Sequence, residues 1–313
     1  MTDPNSPRDP NPAHGSEPAH DPETAAGGHG DTGGTDPKPL LDVRDLRVSF
    51  PGKGWRAPRT EVLRGVSLDI RPGETLGLVG ESGSGKSTIG RAVLGLVPAS
   101  GGSISFDGER VDGASRRRRR ELSRHIQVVF QDPYTSLNPS LLVGDTLAEP
   151  LLAHGVPAAE ARTRVADLLD RVALPRDAVH RLPREFSGGQ RQRVAIARAL
   201  AIAPRLIVCD EPVSALDLTT QRTVMDLLLD IQERTGTAYL FVSHDLSVVR
   251  ALSHRVAVIH QGQIVEYGGA DRVTTDPEHP YTQRLLLSAP VADPGRQSER
   301  RAEYERRFHA RAH

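Results

Sequence analysis

The run Gly80-Glu81-Ser82-Gly83-Ser84-Gly85-Lys86-Ser87 fits G-x-x-x-x-G-K-[ST] at every position. Glycines let the backbone take φ > 0 and approach a ligand closely. Successive amide N–H groups then form a concavity for anions, reinforced by the positive end of a following helix. In such a loop Lys86 supplies a point charge for the β- and γ-phosphates of a nucleotide, and the Ser87 hydroxyl is placed to ligate Mg²⁺. The only lysines are Lys38, Lys53 and Lys86, in a chain otherwise supplied with arginine. A lysine kept here suits a compact ammonium better than a planar fork. Further polar groups follow apolar runs: Gln131 after Ile126–Phe130, Asp210-Glu211 after Leu206–Cys209, and His244 just beyond Ala238–Val242. Asp210 would share the Mg²⁺ shell with Ser87, Glu211 can reach an attacking water as general base, and His244 can hold that water against the γ-phosphate. Ser243-His244-Asp245 superficially suggests a hydrolase triad, but neighbours on a strand point to opposite faces and no G-x-S-x-G elbow is present.

These groups need a scaffold that brings distant strand ends together. Thr75–Val79 reads as a short buried strand, followed by the glycine loop and by a helix through Thr88–Leu94. Leu41–Phe50 and Val66–Ile70 alternate apolar and polar residues, the period of a half-buried strand. Gly101–Gly108 suggests a hairpin edge, and the Arg116–Arg120 run a solvated helix face or turn. Ile126–Phe130, Leu206–Cys209 and Ala238–Val242 are continuous apolar runs, as expected of parallel strands covered on both faces. Val256–Ile259 and Gln263–Tyr267 close the sheet. From Val143 to about Ala173 apolar residues recur at helical spacing, with Pro150, Pro157 and Pro175 as breaks, so a helical insertion is expected there. Ser187 reads as the cap of a helix over Arg191–Ala201, and another helix is expected over Thr219–Thr235. Strands alternating with helices predict an α/β fold with a mostly parallel sheet, and the absence of an internal repeat predicts one such core.

The 313 residues balance 40 basic against 40 acidic side chains, so no overall field draws the chain to nucleic acid or anionic lipid. Cys209 is the only cysteine. It excludes a disulfide framework or a cysteine-ligated cluster supplied by this chain alone, and suggests a reducing compartment. The lack of an apolar run long enough to span a bilayer, and of a signal-peptide pattern, leads to the expectation of a soluble cytoplasmic chain. Residues 1–39 are rich in Pro, Asp, Gly and Ser and predict disorder; His14, His20 and His29 within them match no compact ligand set.

With these motifs in order, the chain resembles the ATP-binding subunits of ABC transporters over about residues 40–290. Phe186-Ser187-Gly188-Gly189-Gln190 resembles the family signature, with Phe where Leu is usual. Ser214-Ala215-Leu216-Asp217 resembles the D-loop, Gln131 the Q-loop and His244 the switch histidine. Phe50 stands where the family places the aromatic that stacks on adenine, with Trp55 as the weaker candidate. The run Phe130–Pro139 resembles the Q-loop of the F-type subunit of oligopeptide/dipeptide importers. Pro277-Glu278-His279-Pro280-Tyr281-Thr282, with Leu285-Leu286, resembles their C-terminal motif.

The resemblance implies a P-loop NTPase (RecA-like) core over 40–265, with an antiparallel β edge and a helical subdomain at about 133–190. A C-terminal extension and tail of the oligopeptide-transporter type would follow over 266–313. It implies ATP and Mg²⁺ as cofactors, the nucleotide held by Phe50, Gly80, Glu81, Ser82, Gly83, Ser84, Gly85, Lys86, Ser87 and Thr88. The metal would be held by Ser87, Gln131 and Asp210, and the catalytic groups are Glu211, His244, Gln131 and Lys86. Ser187, Gly188, Gly189, Gln190 and Asp217 would close on ATP held by a second ATPase subunit, a related D-type chain or a second copy. Two membrane permeases, and indirectly an extracellular binding protein, complete the implied assembly, with this chain peripheral at the cytoplasmic face. Oligopeptides or dipeptides are the implied solutes, with nickel or another small solute as the alternative. A soluble ABC ATPase of DNA repair would need a long coiled coil or zinc cysteines, which this sequence lacks.

Overall fold

The structure is a computed structural model that describes residues 38–52, 58–132 and 134–288. Residues 1–37 of the segment expected to be disordered, Trp55, and residues 289–313 of the expected C-terminal extension and tail lie outside those residues. The described residues open with β1 (Leu41–Phe50) and β2 (Thr60–Ile70), then run through β3 (Thr75–Val79) into α1 (Lys86–Val93). A hairpin of β4 (Gly101–Phe106) and β5 (Glu109–Arg110) leads to α2 (Arg116–Leu122) and β6 (Ile126–Val129). Next come α3 (Val143–Ala153), α4 (Ala158–Arg171), single 3₁₀ turns at Arg176–His180 and Pro183–Glu185, and α5 (Gly188–Leu200). The second half alternates β7 (Leu206–Asp210), α6 (Leu218–Thr235), β8 (Ala238–Ser243), α7 (Leu246–Leu252) and β9 (Arg255–His260). It closes with β10 (Gln263–Gly269), α8 (Ala270–Thr275) and α9 (Pro280–Ser288).

The central sheet has the order β10-β9-β3-β8-β7-β6 and is parallel except at β10, which pairs antiparallel with β9. All residues of β3, β7 and β8 are buried, and successive ones feed opposite layers. Ile207, Cys209, Tyr239 and Phe241 pack with α3–α7, whereas Leu206, Val208, Ala238 and Leu240 pack with α1 and the antiparallel strands. A strand covered on both faces has no polar side to show, which is why these segments read as unbroken apolar runs. The antiparallel edge is a sheet of its own, ordered β2-β1-β4-β5. Arg255 on β9 ties the two sheets together, its guanidinium donating to Asp69 of β2 at 2.8 Å and to Glu74 in the turn before β3.

Strand register aligns the polar residues that end these runs. Val79 pairs with Ser243, Val242 with Asp210, and Cys209 with Val129, so four strands end along one line. Parallel sheets gather ligands at that edge, and here it delivers Gly80, Gln131, Glu211 and His244 together.

Two local expectations change. Pro150 does not break the helix: it lies inside α3. A proline there forfeits a backbone bond, but Val143, Leu147 and Leu151 on one face of α3 are fully buried. That packing keeps the helix going for three residues more. By contrast Pro157 and Pro175 do stand immediately before a helix and a 3₁₀ turn. The second change is β2, which starts at Thr60 rather than Val66 because Thr60–Arg64 pairs with Phe50–Arg47 of β1. The arginine run forms α2, none of whose residues is buried, with Arg118 paired to Glu121 and Glu109.

Candidate active site

The carboxyl edge of the parallel strands opens into a cavity of about 720 Å³, within the range of small-molecule and cofactor sites. Its floor is the glycine loop from Gly80 through Thr88, Ser84 excepted; Gln131, Glu211 and His244 line the facing side, and Val62 and Leu285 supply apolar wall. The loop's glycines are required by close contacts. A Cβ on Gly80 would stand 2.2 Å from the Ile259 carbonyl, and Gly85, at φ 111°, lies against Leu63. Helix α1 begins at Gly85 with no side-chain cap and no acidic residue in its first turn. Its first amides are therefore left to whatever anion the cavity receives.

Lys86 is buried, and its ammonium donates to the carbonyls of Gly80 at 2.7 Å and Glu81 at 2.8 Å. Burial lowers its pKa from the ordinary lysine value, while Glu211, Asp210 and Glu81 pull it back up. Ser87 Oγ donates to Asp210 Oδ1 at 2.8 Å. Burial raises the Asp210 carboxyl above the ordinary aspartate value, against the opposing pull of Ser87, Arg91 and Lys86. A hydroxyl and a carboxylate in contact are the hard oxygen donors that suit Mg²⁺, which takes one or two carboxylates plus substrate phosphates and keeps several waters. These residues fit the ion.

Glu211 stands apart from its neighbour. Its backbone has φ 49°, left-handed for a residue other than glycine, a strain of the kind that collects at functional sites. The strained turn is fixed by its amide, which donates to the Val242 carbonyl at 3.0 Å. Its side chain then meets two partners on one oxygen: Gln131 Nε2 donates to Oε2 at 3.2 Å, and His244 Nδ1 lies 3.1 Å from the same atom. A mostly buried carboxylate with two polar side chains converging on it can accept a proton from a water at the cavity mouth.

The structure does not bring every expected residue to this cavity. Ser187, Gly188, Gly189 and Gln190 form the start of α5, and Asp217 the cap of α6; none of them lines it. These segments instead pack on each other, since a Cβ on Gly189 would stand 2.2 Å from a methyl of Thr220. Phe50 ends β1, is 39 % exposed and also lies outside the lining. Val62 and Leu285 were not singled out from the sequence as wall residues. Val62 belongs to the part of β2 that starts before the alternation becomes legible, and Leu285 lies in a segment recognised only as a motif. Cys209 is fully buried in the sheet, which pushes its thiol pKa well up.

Residues 63–214 match the family described as ABC transporter, and residues 265–310 the family described as oligopeptide/dipeptide transporter, C-terminal region. Among curated proteins the chain is 52 % identical over 271 residues to the glutathione import ATP-binding protein GsiA of Escherichia coli O6:H1, covering 85 % of this chain and 44 % of that one. It is 51 % identical over 271 residues to GsiA of Escherichia coli strain K12, with the same coverage. The chain thus spans less than half the length of these relatives. Among solved structures, cbiO1 from Clostridium perfringens, part of the ABC transporter complex cbiONQ, aligns with a TM-score of 0.68 at 28 % identity, over 76 % of this chain and 91 % of that one. A dimeric post-hydrolysis structure of the ATP-binding cassette MJ0796, bound to ADP and Pi, aligns with a TM-score of 0.67 at 29 % identity, over 74 % of this chain and 99 % of that one. Sheet order, cavity and both family matches agree: the chain belongs to the ABC transporter family and carries the C-terminal region of the oligopeptide/dipeptide transporters.

Proposed function

We propose that this chain powers an importer of small peptides, a class that includes glutathione, by binding and hydrolysing ATP. The observation that carries this reading is the Glu211 carboxylate, held by Gln131 and His244 across the same cavity as the phosphate loop. The cassette runs from residue 40 to 265, with the helical subdomain at about 133–190, and the C-terminal region begins at 266. The loop amides and Lys86 take the phosphates, and Phe50, exposed at the end of β1, is the side chain offered to the adenine. Ser87 and Asp210, with Gln131 beside them, would hold Mg²⁺, which when bound neutralises charge on the β- and γ-phosphates. Glu211 accepts the proton of the attacking water while His244 keeps that water in line. Chemistry of this kind is mostly positioning and charge neutralisation.

Ser187–Gln190 and Asp217, outside their own cavity, serve the nucleotide of a second ATPase subunit in a head-to-tail pair. That subunit is a related chain or a second copy. Two permeases seat the pair at the cytoplasmic face of the membrane, and an extracellular binding protein delivers the solute. Among the described residues no helix is long and apolar enough to cross a membrane. The names of the relatives, which speak of glutathione import, support a peptide over nickel.

Glu211→Gln tests the site. Loss of a general base costs about 10²–10⁴-fold in rate, so hydrolysis should fall by that factor while ATP binding persists. Hydrolysis at the wild-type rate would remove Glu211 from the mechanism. Uptake of labelled glutathione, dipeptides and nickel by a deletion strain and its complemented parent tests the solute. Loss of nickel uptake alone would overturn the peptide reading.

A further inference from the structure

The C-terminal region reaches into the nucleotide site. On α9, Tyr281 is 3 % exposed, and its hydroxyl accepts the amide N–H of Glu81 at 3.0 Å. Glu81 is the second residue of the phosphate loop, and its carbonyl in turn receives Lys86 at 2.8 Å. The tyrosine ring is fixed independently of that bond. It stacks on His260, at the end of β9, with centroids 3.9 Å apart. The approach to α9 is fixed as well. Glu266 on β10, itself buried, accepts the amides of Glu278 at 2.9 Å and His279 at 3.2 Å. His279 Nδ1 accepts the amide of Tyr281 at 3.1 Å. Leu285, one helical turn beyond Tyr281 and so on the same face, lines the cavity.

We propose that Tyr281 is a positioning residue for ATP: α9 clamps the phosphate loop through the Glu81 amide, which makes the C-terminal region part of the nucleotide site. A glycine-rich loop is conformationally free and loses that freedom when a nucleotide binds. A hydroxyl that already holds the first amide beyond Gly80, on a ring locked between β9 and α9, meets part of that ordering cost before the ligand arrives. The Glu81 amide shares its peptide plane with the Gly80 carbonyl, which accepts Lys86 at 2.7 Å, so the clamp's influence extends to that ammonium.

This inference rests on Gly80–Ser87 being the nucleotide site, and the experiment separates the two. Full-length wild type, Lys86→Ala, Tyr281→Phe and Tyr281→Leu are titrated with a fluorescent ATP analogue in Mg²⁺ buffer, and each is melted without nucleotide. Tyr281→Phe keeps the stack on His260 and removes only the acceptor. Its Kd should rise about five-fold, the worth of one ordinary hydrogen bond, and its KM for ATP should rise with kcat unchanged. Tyr281→Leu removes the ring as well and should weaken binding further. If Lys86→Ala loses binding while Tyr281→Phe binds as tightly as wild type, the clamp is wrong and the nucleotide site stands. If Tyr281→Phe lowers the melting temperature and leaves Kd and KM alone, Tyr281 is a packing residue and the proposal fails. If Lys86→Ala binds like wild type, the site reading fails and takes the clamp with it.

Discussion

Helices α1 and α5 both start in glycine-rich sequence, and they are built in opposite ways. Helix α1, behind Gly80–Gly85, has no side-chain cap, and its lysine turns back onto the carbonyls of its own loop. Helix α5, behind Phe186, is closed by a capping box: Ser187 Oγ accepts the Gln190 amide at 3.3 Å and Gln190 Oε1 accepts the Ser187 amide at 2.9 Å. The first start is sunk in a cavity at the sheet edge, and the second is exposed at Ser187 and braced on α6. An uncapped start leaves its amide donors to a ligand, while a capped one needs none to be stable. Glycine and helix dipole alone therefore do not open an anion-binding cavity within this chain itself. What the chain leaves unsatisfied does.

The most damaging change should fall on the uncapped start. Lys86→Ala removes the ammonium held on the loop carbonyls, which in the proposed function also meets the phosphates. A hydrogen bond to a charged partner contributes about 1.5–3 kcal/mol, so nucleotide affinity should fall roughly 10- to 10²-fold. Equilibrium titration measures it. Undiminished affinity would take the nucleotide away from this helix start.

How far this contrast is legible in the sequence depends on the kind of signal. Gln131, Asp210, Glu211 and His244 were legible because parallel strands buried on both faces leave apolar runs, and a polar residue ending such a run marks the sheet edge. Ser187 was legible as a cap because it is a local signal before a helical run, while the return bond from Gln190, which starts α5 at Gly188, was not read. The clamp on the loop was not legible, since Tyr281 and Glu81 lie 200 residues apart and no periodicity joins them. Pro150 misled for a related reason: its local cost is set against burial of Val143, Leu147 and Leu151 on partners distant in sequence.

At the capped start, the brace is the sharper test. Gly189→Ala places a methyl 2.2 Å from the Thr220 methyl, and overpacking of this kind costs about 1–3 kcal/mol. The neighbouring Gly188→Ala meets nothing nearer than 3.7 Å and should leave the melting temperature unchanged. Equal effects at the two glycines would refute the brace. Ser187→Ala comes next, with a lost cap costing about 1 kcal/mol. It should leave the nucleotide affinity of the isolated chain untouched, because Ser187 lies outside the chain's own cavity. Weaker binding by the isolated Ser187→Ala chain would place the two starts in one site.

The smallest effect concerns what holds the brace. Asp217 caps α6, taking the Thr220 hydroxyl at 2.6 Å and the Thr220 amide at 3.0 Å, and so fixes the residue against which Gly189 packs. Those two bonds, the hydroxyl first, hold its carboxyl below the ordinary aspartate value. A group lowered in the folded state contributes stability that is present above its ordinary pKa and is lost as pH falls through the lowered value. Asparagine keeps an oxygen for the amide but carries no charge, and it is as good a cap in general. Asp217→Asn should therefore melt slightly below wild type at neutral pH, and the gap should close as the solution is acidified past the carboxylate range. A gap that persists unchanged into that range would mean that shape, not charge, sets the cap. In that case the acidic residue at this position would owe its place to the partner's site rather than to α6.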